Sequence, residues 1–563
     1  MQDELKHECA VAMVVLRKTA VAAGDFGGTK LSLLLEKQHN RGQDGAGAAI
    51  LSADPRPGEE PYWIAKSASA TPLVDVLGAI GKRPPAHGRV FLGHLRYATF
   101  GKNEVSFCHP FAHEGSELAH TLLLAGNFNL TNASELFDDY RRHGSFPTSK
   151  ADGYLICEMI AHNLAQGSQI QVSAAIEQAL GNADGAWTLC GMTGDGWAFA
   201  TRDPHGIRPG FYYIDDDVVV VASERPAIQA AFDVPPESVK ELPPGKALVV
   251  SPEGDFAFHG LDNRTARQPN DQTTSHTPCS FERIYFSRAN DADIHRERKA
   301  LGAALLPQIL EAADSPLENV FFSYIPNSAR IAFHGLLERA FEEHGRIRFG
   351  EIAVKDAKFR TFIADAAARR EFYKHVYDVT YGLIRPGQDT LVVLDDSIVR
   401  GNTMKNAILP MLDRLGPKRI VIASSAPPIR YPDCYGIDMS TLGELVAFRA
   451  LVNLLGDGAG EELLNCAATT PSSPRDGEAP PLRRLYDRFA GERHCAEIAR
   501  LLTPPGMKAE VKVVYQTVEN LRRCLDGATG DWYFTGDYPT PGGYKVLARA
   551  LSNYLEHKSE RPY

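Results

Sequence analysis

Residues 391–403 read LVVLDDSIVRGNT, and they constrain the fold more tightly than any other stretch of the chain. A short apolar run ends in two adjacent carboxylates, Asp395 and Asp396, and a loop carrying Ser397, Arg400, Gly401 and Thr403 follows. Met404, Ile408, Leu412 and Leu415 then recur at helical spacing until Gly416-Pro417 stops the helix, and 419–423 (RIVIA) is the next apolar run. Strand, loop, helix, strand is a βαβ unit, which predicts a parallel sheet. Open α/β sheets bind ligands outside the carboxyl ends of their strands, so Asp395 and Asp396 are placed to take sugar hydroxyls or a hard cation such as magnesium. Exposed loop N–H groups and the helix N-terminus favour a phosphate. The Gly-x-x-x-x-Gly-Lys spacing of a P-loop is missing. The plainer alternative is an acidic turn capping the next helix. Arg400 suits either a phosphate or the neutralisation of nearby acids.

With 563 residues the chain has room for much more than this unit: three or four domains at about 150 residues each, or two large ones. Its 44% hydrophobic and 23% charged residues exclude a wholly disordered or collagen-like chain. A net charge of -10 opposes binding to nucleic acid, whose affinity comes mainly from cationic contacts to phosphate. No run approaches the ~18 apolar residues that span a bilayer. Residues 9–16 are apolar, but Asp3, Glu4 and Glu8 outweigh Lys6 ahead of them, unlike a secretory signal. The 9 cysteines are scattered and none forms Cys-x-x-Cys, which argues against a disulfide framework and points to a reducing, cytoplasmic setting. Two segments read as breaks: 251–278, polar with few bulky anchors, and 467–481 (AATTPSSPRDGEAPP), expected to be a disordered insertion.

Cys9 follows an acidic octapeptide. Alone it reads as a small buried residue of a first strand, CAVAMVV. If the leader were removed, Cys9 would carry a free α-amine of pKa ~7.7–8.0, able to serve as base for its own thiol. The segments 38–47 (QHNRGQDGAG), 93–99 (GHLRYAT), 125–130 (AGNFNL), 148–153 (TSKADG), 202–209 (RDPHGIRP) and 222–227 (ASERPA) favour the second reading. In that order they resemble the class II glutamine amidotransferases, which are N-terminal-nucleophile hydrolases. The 391–403 loop resembles the type I phosphoribosyltransferase signature for phosphoribosyl pyrophosphate (PRPP). Together, with 279–288 (CSFERIYFSR), 359–363 (FRTFI) and 426–439 (APPIRYPDCYGIDM), they resemble the amidophosphoribosyltransferase family from Cys9 to about residue 450. The likeness returns briefly at 533–539 (YFTGDYP).

The resemblance implies an α/β and α+β architecture: a leader at 1–8, an αββα glutaminase sandwich over 9–260, a parallel-sheet phosphoribosyltransferase domain over 279–450 and a helical C-terminal region over 451–563. It implies that Cys9 attacks glutamine, with Asn127 and the Phe128 N–H as oxyanion donors and Arg96 and Asp152 reading the α-carboxylate and α-ammonium. PRPP would take Asp395, Asp396, the Ser397–Thr403 loop (with Arg400, Gly401 and Thr403) and Ser328, with magnesium at Ser328, Asp395 and Asp396. Purine nucleotides as feedback inhibitors and a homo-oligomer, dimer or tetramer, also follow from the family, together with no nucleic-acid or membrane partner.

Several positions depart from the family pattern. Cys9-Ala10 replaces Cys-Gly, Gly126-Asn127-Phe128-Asn129 replaces His-Asn-Gly-Asn, and Asn327-Ser328-Ala329 replaces Asp-Ser-Gly. A glycine conformation with φ > 0 would strain Phe128. Some members carry an iron–sulfur cluster on four cysteines. Cys279 and Cys434 match two of them, but Gly530 and Tyr533 stand at the other two, so the cluster is expected to be absent. A metal on Cys108, His109, His113 and His120 lacks a zinc-like spacing, and His94 reads as a structural histidine. Two rivals remain: a glucosamine 6-phosphate-forming amidotransferase, which the Asp395-Asp396 loop opposes, and a non-catalytic PRPP or nucleotide sensor, for which the altered residues 10, 128, 327 and 329 would be decay.

Overall fold

The computed structural model describes residues 8–17, 25–55, 57–82, 88–98, 104–166, 171–263, 276–326, 328–355, 377–471, 479–526 and 530–562. Strand Ala10–Leu16 shows how its first half is layered. Side chains alternate across a strand; Ala10, Ala12, Val14 and Leu16 face one core and Val11, Met13 and Val15 another. The strand sits inside a 7-stranded antiparallel sheet of order Lys240–Glu241, Phe211–Ile214, Val218–Ala222, Ala10–Leu16, Gly88–Arg96, Gly45–Ser52, Tyr62–Ser67. A 6-stranded sheet packs on it in the order Phe256–Gly260, Lys246–Val250, Ala198–Arg202, Gly185–Thr193, Leu122–Leu130, Phe111–His113. Helices Phe26–Lys37, Pro72–Lys82 and Arg225–Phe232 cover the first sheet, and Asp152–Leu164 and Val172–Leu180 the second. The four layers are the expected αββα sandwich.

The second half holds a 5-stranded parallel sheet of order Arg348–Phe349, Val320–Tyr324, Thr390–Asp395, Arg419–Ser424, Glu510–Tyr515. Its central strand ends at the acidic pair, as the βαβ reading requires. A further buried cluster, including Ile207 of the sandwich, Phe281, Tyr431, Trp532 and Leu547, joins the two halves.

Three expectations need correction. The break at 251–278 contains a strand, Phe256–Gly260, paired antiparallel to Lys246–Val250. An edge strand needs few anchors, and Phe258 supplies one by packing on Tyr212 of the other sheet, with ring centroids 5.3 Å apart. The C-terminal region is not wholly helical, because Glu510–Tyr515 completes the parallel sheet; its side chains feed the cores on both faces, Val513 and Tyr515 on one and Val514 on the other. The segment 467–481 is helical at both of its ends. Helix Ala459–Thr469 runs into it and Pro481–Asp487 begins at its end, while 472–478 lie outside the described residues. The helix after the acidic loop also divides into a π turn, Met404–Ile408, and an α segment, Leu409–Asp413. Pro410 has no N–H and its ring crowds the turn before it, which the wider π turn accommodates.

Helices Ala292–Ala304 and Arg330–His344 cross in near backbone contact. A Cβ on Gly302 would lie 1.7 Å from the Ala332 carbonyl oxygen, and one on Gly335 2.0 Å from that of Lys299. Gly302→Val is therefore expected to destabilise the protein by about 3 kcal/mol, lowering the apparent thermal midpoint. An unchanged midpoint would mean that the helices can part freely.

Candidate active sites

Cys9 precedes the first strand, whose register sets Ala10 opposite Leu95, so it lies beside the end of the strand that carries Arg96. The Tyr97 N–H donates to Cys9 Sγ at 3.3 Å. Burial pushes the thiol up to about 12; the Arg96 charge opposes this, and those of Asp152 and Asp44 reinforce it. Such a thiol stays protonated near neutrality and needs a base. Asp152 opens the helix Asp152–Leu164, and burial pushes its carboxyl up to about 6 against hydrogen bonds from the Gly153 and Leu130 N–H groups. Arg96 is buried, with its guanidinium 5.7 Å from the centre of the Phe107 ring. Glu8 is buried as well. It pairs with Arg208, lies 3.7 Å from Arg41, and accepts a hydrogen bond from Asn127 Nδ2 at 3.3 Å. Cys9, Arg96, Asp152 and Asn127 thus gather at one end of the sandwich.

Strand Leu122–Leu130 carries the oxyanion candidates. Phe128 pairs with Trp187, which turns both backbone groups the other way: its carbonyl accepts from the Asp203 N–H at 2.9 Å and its N–H donates to Asp203 Oδ2 at 3.3 Å. The pair is therefore of the non-hydrogen-bonded type, and the Phe128 N–H faces the opposite edge. Strand Phe111–His113 covers that edge only as far as Leu124, and among the described residues no strand pairs with it at residue 128. The neighbouring amides of the same parity are used, Gly126 N–H by His109 Nδ1 at 3.2 Å and Leu130 N–H by Asp152. Among the described residues only Asp233, Asp314, Asp526 and His557 combine a side chain with positive φ. Phe128 is an ordinary strand residue and escapes the strain that a glycine conformation would impose.

In the second half the Asp396 N–H donates to Asp395 Oδ1 at 2.9 Å, and Ser397 Oγ donates to Asp396 Oδ1 at 3.1 Å. Ser328 also hydrogen-bonds Asp396, so the loop around residue 328 meets the acidic pair. Burial, then the neighbouring carboxylate, holds Asp395 well above the usual carboxylate range. Burial raises Asp396 too, against Ser328, Ser397 and the charge of Arg298. Gly401 takes φ +79°, and a Cβ there would lie 2.2 Å from Leu502 Cδ2. Arg400 turns out of the loop: Nε donates to Glu444 Oε2 at 2.7 Å and Nη2 to the Asp438 carbonyl at 3.1 Å. These contacts accord with one of its two sequence readings, the neutralisation of nearby acids. The segment 359–363 (FRTFI) lies outside the described residues.

A family model described as a glutamine amidotransferase domain matches residues 110–230. The amidophosphoribosyltransferase of Bacillus subtilis (strain 168) is 30% identical over 441 residues, which is 77% of this chain and 83% of that protein. That of Pasteurella multocida is 32% identical over 428 residues, 73% and 78% of the two chains. The chain belongs to the amidophosphoribosyltransferase family. The solved B. subtilis glutamine PRPP amidotransferase complexed with ADP and GMP shares its fold, with a TM-score of 0.67 at 23% identity over 94% of this chain and 97% of that one.

The four positions that the family resemblance assigns to an iron–sulfur cluster hold Cys279, Cys434, Gly530 and Tyr533. Cys279 pairs with Gly530 in an isolated parallel bridge, and its Sγ lies 3.1 Å from the Tyr533 hydroxyl. Burial pushes the Cys279 thiol up to about 12 and holds Cys434 well above the ordinary thiol range. Two thiols, one of them capped by a phenol, beside a glycine and a tyrosine do not fit a four-thiolate cluster. Cys108, His109 and His113 do not converge either: they bond the Ser67 carbonyl, Gly126 and Glu158 separately. Tyr97 and Asp44 lie inside the 93–99 and 38–47 motifs, but Tyr97 acts through its backbone and Asp44 through charge, so the motifs do not single them out; Arg298 lies in none of the quoted motifs and acts on Asp396 from a distant segment. Cys279 and Cys434 are expected to remain unlabelled by a neutral maleimide until the protein is denatured, as read by peptide mass spectrometry; labelling of either in the folded protein would show that the aromatic packing opens.

Proposed function

We propose that this chain joins glutamine hydrolysis at Cys9 to amination of PRPP at Asp395-Asp396, giving 5-phosphoribosylamine, pyrophosphate and glutamate. The observation that carries the reading is the gathering of Cys9, Arg96, Asp152 and Asn127 at one end of an αββα sandwich joined to a parallel sheet that ends in the acidic pair. Removal of the leader would give Cys9 an α-amine of pKa ~7.7–8.0, a base within the same residue for a thiol that burial keeps protonated. The thiolate attacks the side-chain carbonyl of glutamine, whose α-carboxylate pairs with Arg96 and α-ammonium with Asp152. Asn127 and the Phe128 N–H take the developing oxyanion, where one donor can be worth ~2.7–4 kcal/mol. Ammonia leaves, and water hydrolyses the thioester to glutamate.

At the second site Asp395 and Asp396 take the ribose hydroxyls, the Ser397–Thr403 loop takes the 5′-phosphate on its backbone, and Ser328 lies on the pyrophosphate side. Arg400 braces the loop from outside. Magnesium fits this donor set: burial raises both carboxylates, the charge of Asp396 raises Asp395 further, and Asp396 Oδ2 is buried without a hydrogen-bond partner among the described residues. No cluster of three or more His, Cys, Asp or Glu that could hold a metal occurs among the described residues, so the remaining ligands would be substrate oxygens, Ser328 and water. When bound, the ion would neutralise pyrophosphate as it departs. Ammonia displaces that pyrophosphate at the anomeric carbon. Purine nucleotides are the proposed inhibitors, supported by a solved relative complexed with ADP and GMP. A cytoplasmic homo-oligomer remains the family expectation; no helix among the described residues is long and apolar enough to cross a membrane.

The test is magnesium-dependent pyrophosphate release from PRPP with glutamine or ammonium as nitrogen source. Cys9→Ala is expected to lower the glutamine reaction by at least about 10³-fold and to spare the ammonium reaction; equal loss of both would overturn the two-site mechanism. A folded protein that binds PRPP but releases pyrophosphate with neither nitrogen source would be the sensor. Asp152 must be ionised to pair with the substrate ammonium, and its carboxyl sits at about 6. The KM for glutamine is thus expected to hold steady above that pH and to rise roughly tenfold per unit below it, while the KM for ammonium, counted as free ammonia, stays level. A flat glutamine KM through pH 6 would remove Asp152 from the binding role.

A further inference from the structure

Gly126 is held at both of its backbone groups by imidazole. Its N–H donates to His109 Nδ1 at 3.2 Å, and its carbonyl, the other end of the Asn127 amide, lies 3.0 Å from His94 Nε2. An N–H can only donate and a carbonyl can only accept, so His109 must be bare at Nδ1 and His94 protonated at Nε2. The two rings stack with centroids 3.9 Å apart at 17°, and the Phe128 ring continues the stack on His109 at 5.5 Å and 19°. The far side of Phe128 is closed by the residue after Asp152, where a Cβ on Gly153 would lie 2.5 Å from Phe128 Cζ. His94 and His109 are buried. Residue 126 itself has no room for a side chain, since a Cβ there would lie 2.7 Å from the Thr188 carbonyl oxygen. Imidazole therefore reaches this peptide from residues 94 and 109 rather than from within the motif.

We propose that His109 and His94 are positioning residues for glutamine hydrolysis, fixing the Gly126 peptide and with it the aim of Asn127 and of the Phe128 N–H. The proposal rests on the reading of Asn127 as an oxyanion donor. Neither histidine touches substrate in this scheme; each acts through one backbone group. Both must be neutral for the arrangement to hold, because a proton on His109 Nδ1 would face the Gly126 N–H. Burial supplies that condition, pushing His94 down to about 3 and His109 well below its ordinary value. Lys66 and Arg96 lower both and His94 lowers His109, while the hydrogen bond to the Gly126 carbonyl opposes the shift at His94 alone.

The experiment compares steady-state glutamine hydrolysis and ammonium-dependent pyrophosphate release in variants of the full chain. His109→Leu removes the acceptor. It is expected to lower kcat for glutamine about 10- to 100-fold with KM changed less than about twofold, and to leave the ammonium reaction unaffected. His109→Asn places Oδ1 near the position of Nδ1 and is expected to recover most of the loss. A His109→Leu enzyme within about twofold of the parent, or a His109→Asn enzyme as impaired as His109→Leu, overturns the proposal. If His109→Leu does not fold, His94→Gln against His94→Leu makes the same comparison at the other backbone group: rescue by Gln supports the proposal, and equal impairment or none overturns it. Asn127→Ala separates the two ideas. Full activity in that variant overturns the reading of Asn127 and this proposal with it; an impaired Asn127→Ala beside an unimpaired His109→Leu overturns this proposal alone.

Discussion

The Arg41 guanidinium is 1% exposed and lies where the sandwich meets the second half of the chain, so its charge must be answered inside the protein. Nε donates to Glu224 Oε1 at 2.8 Å, and Nη1 and Nη2 grip both oxygens of Glu282 at 3.0 and 2.6 Å. Glu224 also accepts the Arg288 N–H, and Ser287 Oγ donates to Glu282. Losing one partner of such a buried pair typically costs about 3–5 kcal/mol, because the survivor is left charged and dry. The constraint sets the relation between the halves: the sandwich, through Arg41 beside Glu224, and the segment entering the second domain, through Glu282, cannot separate without breaking the bidentate Arg41–Glu282 pair. It also reaches the first site, since Glu8 joins the same network through Arg41 and Arg208. Glu8 thus brings a further carboxylate to guanidiniums that Glu224 and Glu282 already face.

The strand Leu122–Leu130 is the second point on which both halves depend. Its outer edge gives successive amides of one parity to His109, to the proposed site and to Asp152, while Asn129 Nδ2 donates to the Cys434 carbonyl at 2.7 Å. Thr131, just past its end, donates to Asp184 Oδ1 at 2.6 Å, and Asp184 in turn receives Thr540 Oγ1 and the Gly542 N–H at the start of the C-terminal helix. A strand fixed at so many points presents its donors without reorganisation, which is what oxyanion stabilisation requires.

Much of this was legible in the sequence, and the reason is local. Strand, acid pair and helix over 390–413 are a contiguous pattern, and Cys9, Arg96, Asn127 and Asp152 sit in motifs that can be read one segment at a time. What was not legible depends on partners far away in the chain. Phe256–Gly260 and Glu510–Tyr515 look marginal as strands until a neighbour offers its edge, Lys246–Val250 for one and Arg419–Ser424 for the other. The two readings of Arg400 could be weighed only once Glu444 and Asp438 were placed beside it. The concern over Phe128 came from a local rule about glycine, and it dissolves because the parity of the strand presents the same N–H from extended backbone.

The two sites share one electrostatic design. Burial holds Cys9 protonated, lifts Asp152 to about 6, and raises Asp395 and Asp396 above the ordinary carboxylate range. Each of these groups is costly to ionise in the empty protein, and each has a partner in the proposed chemistry that would reverse the cost: the α-amine for the thiol, the substrate ammonium for Asp152, and a magnesium–PRPP complex for the paired aspartates. Opposite charge arriving within a few ångströms favours the ionised form most strongly where water is excluded. Empty sites of this kind are therefore poorly charged, and they acquire their working charge state when the substrate supplies the counter-charge. The neutral histidine stack behind Gly126 is the exception that fits the rule. It must hold its geometry in every state of the cycle, and burial beside the positive charges of Lys66 and Arg96 keeps it from titrating in the working range.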